Sequence, residues 1–480
     1  MKTKFAWGGI NCVLPVAAVA AGALLLGGCQ KNDGSSGGGS GSAPRATATS
    51  VQKNSFQAVT SQLDAGGNLY GYLSTEQWLD GLSGKVSGLR DLFKDIGGMS
   101  QSDRADMNKV FNVVTSLIKH CGIEDISGVG MSSIMKEKDV YRSKFVLHHY
   151  AGKGTGFLWT MFGDKAHAMK GMELLPATTA VASFSDFDLG MLWSVIQKEV
   201  DNAGVPDLSK ALQEAPKEFE KATGLKLADV LGSLGNEYGL VITLDDTKKF
   251  TVPMGGQESL DLPEPGIMLA IKVKSDLIFD RIDAAIKENL GDNPSLIKTD
   301  KDGLKMRTMP VPVPVSINLR PSIARSGDYL FIASSDALIL EALDVKAGKK
   351  PGLKDTEEFK RMSHDMPDQG NQFSFLSEKL GKVIADVQMQ AMKNNARGNP
   401  GMVSFFQQII SFGGTTTAFS VSANGPEGWV TTGNGNRNPA NIVLLPLVAV
   451  PAIAAGVAVP FFTRQAVMTR QSASPMPPPR

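Results

Sequence analysis

Apolar positions along this chain switch repeatedly between two periods. Residues 69–73, LYGYL, read as a strand, after which Leu79, Leu82, Val86, Leu89, Phe93 and Ile96 recur at spacings of three and four, the pattern of an amphipathic helix. A second helix is predicted over Asp103–Lys119 and is closed by Gly122. Val140–His148 and Gly156–Phe162 then read as strands. A similar order returns further on: Ala180–Phe184 predicts a strand, Leu189, Leu192, Trp193, Ile196 and Val200 a helix with Trp193 in the core, and NEYGLVITLD a closing strand. A shorter passage follows the same plan. It has the strand QFSFL (372–376), a helix through Leu380, Val383, Ile384, Val387 and Ala391, a second helix over Val403–Ile410, and TTTAFSVSA with GWVTTG as an antiparallel pair turning at Asn424-Gly425.

The middle passage carries an insertion. Gly266–Val273 is predicted as a strand, Asp276–Asn289 as a helix, and Ile297–Thr308 as a hairpin turning at Asp302-Gly303. MPVPVPV (309–315) has proline at every second position, so alternate backbone donors are missing and it must be an edge strand or a polyproline segment. Ser322–Ala333 predicts a hairpin turning at Ser326-Gly327-Asp328, and Asp336–Asp344 a helix. GIEDISGVGMSSI sits after the first helices as GLKLADVLGSLG sits after the second set, with strands to follow in each case. The expected fold is therefore α+β, with repeated strand-helix-helix-strand modules and largely antiparallel sheets. The modules cover 56–173, 174–370 with its inserted strands, and 371–436.

The chain ends point to a membrane. Lys2 and Lys4 precede the apolar run Val13–Leu26, which ends in Leu26-Gly27-Gly28-Cys29, the layout of an export signal occupying 1–28. The junction resembles the bacterial lipobox. That resemblance implies cleavage before Cys29, a diacylglyceryl thioether on its sulfur and an acylated new N-terminus, with 29–55 as a flexible Gly/Ser tether. At the other end, Ile442–Phe462 contains no charged residue, and a helix of that length spans about 32 Å against a hydrocarbon core of about 30 Å. The segment 441–463 is thus a transmembrane helix candidate despite Pro446, Pro451 and Pro460, and 464–480 is a short basic, proline-rich tail. Gln30 after the lipid cysteine favours the outer membrane by resemblance to sorting rules, whereas an inserted helix favours the inner one. Insertion is the stronger signal, so the expectation is inner-membrane attachment with the body outside the cytoplasm.

Composition narrows the chemistry. In 480 residues, 49 Lys+Arg face 48 Asp+Glu, which gives no electrostatic bias towards nucleic acid, and no nucleic-acid partner is expected. Of three cysteines, Cys12 leaves with the signal and Cys29 is lipidated, so Cys121 has no partner for a disulfide. Ser133 and Lys136 have the Ser-x-x-Lys spacing that lets a lysine activate a serine, but no Lys-Thr-Gly or Ser-Asp-Asn accompanies them. His148 and His149 point to opposite faces of a strand. Asp164 and His167 lack a third ligand, and Asp188 of Asp186-Phe187-Asp188 reads as a helix N-cap. GKGTG (152–156) precedes a strand-like run and not a helix, and Asp300-Lys301-Asp302-Gly303 lacks the later ligands of a calcium loop. Cys29 is accordingly the one site residue assigned, as a lipidation site, with no catalytic or metal residue and no cofactor.

The pattern LPATTAVASFSDFDLGMLW, then ATGLKLADVLGSLGNEYGLVITLD, then GDYLFIASSDALILEAL resembles an uncharacterised family of exported bacterial envelope proteins of the domain-of-unknown-function type, over Leu174–Leu376. The resemblance implies an α+β body and carries no activity with it. The expectation is a membrane-anchored envelope lipoprotein that scaffolds or binds without catalysis. Its partners would be membrane lipid, through Cys29 and Ile442–Phe462, and an apolar ligand or another envelope protein. The rival expectation is an envelope hydrolase using Ser133 and Lys136.

Overall fold

Strand alternation builds the scaffold of this protein, seen in a computed structural model that describes residues 54–94, 101–204, 206–253, 259–291, 293–312, 319–395 and 416–438. The described chain enters with α1 (Phe56–Thr60) and β1 (Leu69–Ser74). Helices α2 (Glu76–Leu79), α3 (Leu82–Lys94) and α4 (Gln101–Cys121) precede the pair β2 (Ile126–Glu137) and β3 (Val140–His149). A short helix, α5 (Phe157–Thr160), and the two-residue β4 (His167–Ala168) lead to β5 (Thr179–Asp186). Next come α6 (Leu189–Ala203), α7 (Pro206–Thr223), α8 (Leu227–Ser233) and the long hairpin of β6 (Leu234–Pro253) and β7 (Ser259–Val273). After α9 (Leu277–Leu290) follow β8 (Ile297–Lys301), β9 (Leu304–Thr308), β10 (Ser322–Ser326), β11 (Tyr329–Ala333) and α10 (Asp336–Lys346). The remaining elements are α11 (Glu357–Ser363), β12 (Gln369–Gly370), β13 (Gln372–Leu376), α12 (Glu378–Asn395), β14 (Ala418–Gly425) and β15 (Gly428–Gly435).

All the long strands join one 13-stranded antiparallel sheet in the order β1-β2-β3-β15-β14-β13-β5-β6-β7-β11-β10-β9-β8, while β4 and β12 pair separately. The sheet thus contains three contiguous runs, β1-β2-β3, β13-β14-β15 and β5-β6-β7, in each of which the helices lie between the first strand and the other two.

One face of the sheet holds the main core. Ala182 and Phe184 of β5 meet Val241, Met268, Ala270 and Phe331 on one side and Phe373, Phe375, Phe419 and Val421 on the other. Helices α10 and α11, with 3₁₀ turns at Lys170–Leu174 and Leu353–Asp355, cover this face. Phe184 and Phe373 are cross-strand partners whose rings stack at 5.1 Å. A Cβ at Gly239 would lie 2.2 Å from the Phe184 ring, so glycine there makes room for the stack. On the opposite face two clusters cover the ends, and α12 lies against β5 and β7. Leu79, Leu82 and Trp159 from α2, α3 and α5 pack on Val129, Leu147 and Trp429, and Phe279 from α9 packs with Ile271, Ile323 and Leu330.

Several sequence expectations need correction. Within Gly156–Phe162 the residues Phe157–Thr160 form the short helix α5, and none of the stretch is a strand. Trp159 donates from Nε1 to the Gly122 carbonyl at 2.8 Å, and Gly156 sits so close to Cys121 that a Cβ would lie 2.3 Å from its backbone, which holds the segment as a turn against the end of α4. GIEDISGVGMSSI does not match GLKLADVLGSLG in structure: Leu227–Ser233 is helix α8, whereas 126–137 are already strand β2, with Gly128 and Gly130 beneath Val59 of α1. Only Ile123–Asp125 is helical there, as one 3₁₀ turn. The hairpin arm beyond Asp245 was not anticipated, since a bulge between Asp245 and Lys249 breaks its alternation. The last hairpin turns at Pro426-Glu427, with Gly425 and Gly428 paired, rather than at Asn424-Gly425. Trp193 is half-buried and outside the core clusters, because Glu199 and Val200 are the buried positions of α6.

Other expectations agree with the structure. Asp302 (φ 54°) and Gly303 (φ 77°) form the left-handed turn of the β8–β9 hairpin. Met309 and Val311 donate to the carbonyls of Pro321 and Leu319, so Pro310 between them sits where no donor is needed, while 313–315 lie outside the described residues. The helix over Val403–Ile410 and the segment Ile442–Phe462 lie outside the described residues. Among the described residues no helix is long and apolar enough to cross a membrane.

Candidate functional site

Between the two end clusters the second sheet face keeps a row of partly exposed side chains among the described residues, and their identity follows from strand parity. Leu240, Leu269 and Ile332 are direct cross-strand neighbours on β6, β7 and β11, and Ile242 pairs with Ile267 beside them. Leu240 is 37% exposed, Leu269 41%, Ile332 42% and Ile267 51%. Hydrophobic side chains at these exposures, contiguous over three strands, form a patch and not scattered surface residues. Next to the patch runs a hydroxyl band. Ser183 of β5 pairs with Leu240 and with Ser374 of β13, which pairs with Ser420 of β14. Ser422 and Thr431 continue the band with a 2.8 Å hydrogen bond, and Phe145 of β3, 41% exposed, lies opposite Thr431. From β3 to β11 the face crosses eight strands, about 34 Å at the usual strand spacing, and the positions in this middle strip carry no charged side chain.

A polar cleft of about 530 Å³ lies where the ends of β5, β6 and β7 and the β10–β11 turn meet the loop before β4. Asp186, at the end of β5, is 7% exposed and sits beside Glu237 of β6, 5% exposed, in the strand register. Three groups converge on Asp186. His167 Nε2 is 2.8 Å from Asp186 Oδ2, Asn371 Nδ2 donates to the same oxygen at 3.0 Å, and Gly163, at φ 90°, passes so close that a Cβ would lie 2.7 Å from it. The other ring nitrogen of His167 faces the Ala168 carbonyl at 3.1 Å, so both nitrogens meet acceptors. Burial disfavours the imidazolium, but the Ala168 carbonyl and Asp186 outweigh it and raise the His167 pKa. The Tyr329 hydroxyl donates to Glu237 Oε1. Burial, reinforced by that carboxylate, raises the Tyr329 pKa, so the phenol stays protonated as the donor. A smaller, more apolar cavity of about 300 Å³ lies nearby, lined in part by Met169, Met172, Met366 and Phe359.

The structure separates most of the sequence candidates. Ser133 is fully buried, whereas Lys136, three positions along the same strand, is directed to Asp365 at 3.3 Å, so the lysine does not approach the serine. His148 and His149 do point apart: His149 packs on Trp159 at 4.6 Å, and His148 Nδ1 is 2.6 Å from Ser127 Oγ. Glu427 Oε2 lies 4.0 Å from His148 Nε2, which completes a Ser–His–carboxylate row that sequence spacing did not reveal. Ser127 is 3% and His148 1% exposed, so no substrate reaches that hydroxyl in this conformation. Desolvation lowers the His148 pKa and keeps the ring neutral. Tyr150 next to it donates to Glu76 at 2.6 Å, and burial with that carboxylate pushes its pKa up to about 12.

Asp188 caps α6 by accepting from the Met191 amide at 2.8 Å, as its position predicted. Asp164 and His167 share the polar cleft, but among the described residues no cluster of three metal-ligating side chains occurs. In GKGTG the Gly154 amide donates to Asp125 at 3.1 Å, so a carboxylate occupies it. Asp300 pairs with Arg307 at 2.7 Å. Cys121 is half-buried at the end of α4, followed by Gly122 at φ 85°, and burial raises its pKa. Cys29 lies outside the described residues. Asp186, Glu237 and Asn371 were not singled out together because they come from β5, β6 and the residue before β13, far apart in sequence. The alternation along β5 and β6, which sets Asp186 in line with Ala182 and Phe184 and Glu237 in line with Val241, is the signal that could have placed both acids on the buried face.

The fold and its open face define an α+β protein built on one long antiparallel sheet. No family model, curated protein or solved structure matches the chain.

Proposed function

We propose that this is a membrane-anchored envelope lipoprotein that binds acyl chains, without catalysis, on the open face of its sheet. The observation that carries the reading is the uncharged strip from β3 to β11, with Leu240, Ile242, Ile267, Leu269 and Ile332 contiguous at one end. Covering a half-exposed aliphatic side chain contributes roughly 1 kcal/mol, so an acyl chain laid along several of them gains enough to bind while remaining exchangeable. The adjoining serines offer hydroxyl partners to an ester group. The lipobox resemblance at Cys29 and the apolar segment Ile442–Phe462 support a location at the membrane where such chains are available, with the body outside the cytoplasm. Membership of the exported envelope family, repetition of one ancestral module and inner-membrane attachment belong to the same proposal. The three contiguous strand runs support the repetition.

The test uses the full chain in mild detergent and a fluorescent phospholipid whose emission rises in an apolar site. The wild type should enhance emission saturably, and Leu269→Lys or Ile332→Lys should abolish saturation while leaving the melting temperature within a few degrees, because both positions are partly exposed. Equal saturation in both variants would overturn the reading. The hydrolase alternative would need Ser127 or Ser133 to react. Failure of a serine-directed phosphonate to label the folded protein is the expected result.

A further inference from the structure

The polar cleft is built differently from the open face, and its reading does not rest on acyl-chain binding there. We infer that the cleft binds a small zwitterion, with its ammonium against Glu237 and its oxyanion among Lys165, Lys272 and Lys274. Glu237 lines the cleft although it is 5% exposed. Its Oε1 accepts from Tyr329, whereas its Oε2 has no donor among the described residues and is not sealed away from the cleft. A largely buried carboxylate oxygen without a partner is costly, and an ammonium ion placed against it removes that cost.

The rim supplies the other half of the ligand. Lys165 and Lys274 are exposed and Lys272 is half-buried, and none of the three has an ion-pair partner among the described residues. The other cations of the cleft are already engaged: His167 with Asp186 at 2.8 Å and Arg325 with Asp276 at 3.0 Å. The groups left over are Asp164, Glu237 and Asp328 against the three lysines, so the charges balance. A lone anion or cation therefore gains little from the net field. A ligand with both signs gains from each, its ammonium at the buried acid and its oxyanion at the rim. The backbone supports this arrangement, for a Cβ at Gly235 would lie 2.8 Å from Lys272 Cγ, so glycine lets the lysine stem lie along the cleft wall.

Ammonium plus oxyanion is shared by free amino acids and by the phosphoethanolamine headgroup of a lipid. Calorimetry on the full chain in mild detergent, with glycine, O-phosphoethanolamine, ethanolamine and inorganic phosphate in turn, tests the inference. At least one of the two zwitterions should bind about tenfold or more tightly than either ethanolamine or phosphate, the difference that one charge-assisted hydrogen bond makes. Glu237→Gln should reduce the zwitterion to the affinity of phosphate, and Lys272→Met should weaken it about tenfold. If Glu237→Gln does not fold, Lys272→Met decides. Tighter binding of glycine assigns a free amino acid. Tighter binding of O-phosphoethanolamine, with flotation on phosphatidylethanolamine vesicles but not on phosphatidylglycerol vesicles, assigns the headgroup. Binding of phosphate as tight as either zwitterion, indifference to both substitutions, or no heat with any of the four probes would overturn the inference.

Discussion

His167 ties the loop before β5 to the sheet through Asp186, and the direction of its pKa shift fixes a pH dependence. A histidine whose folded pKa is raised stabilises the protein fully below its unfolded pKa of about 6.5, and the contribution fades as pH rises through the folded value. The melting temperature of the wild type should therefore exceed that of His167→Gln at pH 5.5 by more than at pH 8.5, as read by thermal unfolding. A gap that widens towards alkaline pH would contradict the pairing. His148 works in the opposite sense. Desolvation lowers its pKa, so its buried neutral form loses stability as pH falls below about 6.5. At this scale the sequence was informative where one residue acts locally. Asp188 as an N-cap and the Asp302-Gly303 turn were legible from chemistry within a few positions. The Asp186–His167–Asn371 cluster was not, because its members meet only when β5, β4 and the segment before β13 are brought together.

At the scale of elements, period and propensity located most strands and helices, and their failures have physical causes. Trp193 fits a helical stripe, yet α6 buries Glu199 and Val200 instead, with Glu199 accepting from Ser116 of α4 and lying 2.9 Å from His120. Trp193→Ala should then cost less than Phe375→Ala. The phenylalanine is 2% exposed in the main core and should cost about 3–5 kcal/mol in denaturant unfolding. A larger loss at Trp193 would return it to the core. Gly239→Ala should destabilise by about 1–3 kcal/mol, since a Cβ there enters the Phe184 ring and forces the Phe184–Phe373 stack apart. The β6–β7 arm was missed for a different reason: the bulge between Asp245 and Lys249 shifts the register, so the apolar alternation on which strand reading depends is lost there.

At the scale of the whole molecule, element types gave the α+β class and the antiparallel pairing, but not the strand order. That the β13-β14-β15 run inserts between β3 and β5 follows from long-range pairing, which local periodicity does not encode. The open face was likewise hidden. Leu240, Leu269 and Ile332 look like core positions in sequence, and only the register of β6, β7 and β11 shows that they share the face left partly exposed among the described residues. Lipid anchoring at Cys29 and binding on this face are separable. Cys29→Ser should move the protein out of the lipoprotein pool, seen as loss of the acylated N-terminal peptide by mass spectrometry, without changing phospholipid binding by the solubilised chain.

Acyl-chain binding on the open face is tested most directly by placing a photoreactive benzophenone amino acid at Leu269 in the living cell. Irradiation followed by mass spectrometry of the purified protein should give a lipid adduct at position 269, and none when the probe replaces Glu357 on the outer side of α11. The absence of a lipid adduct at 269, or equal adducts at both positions, would contradict the account.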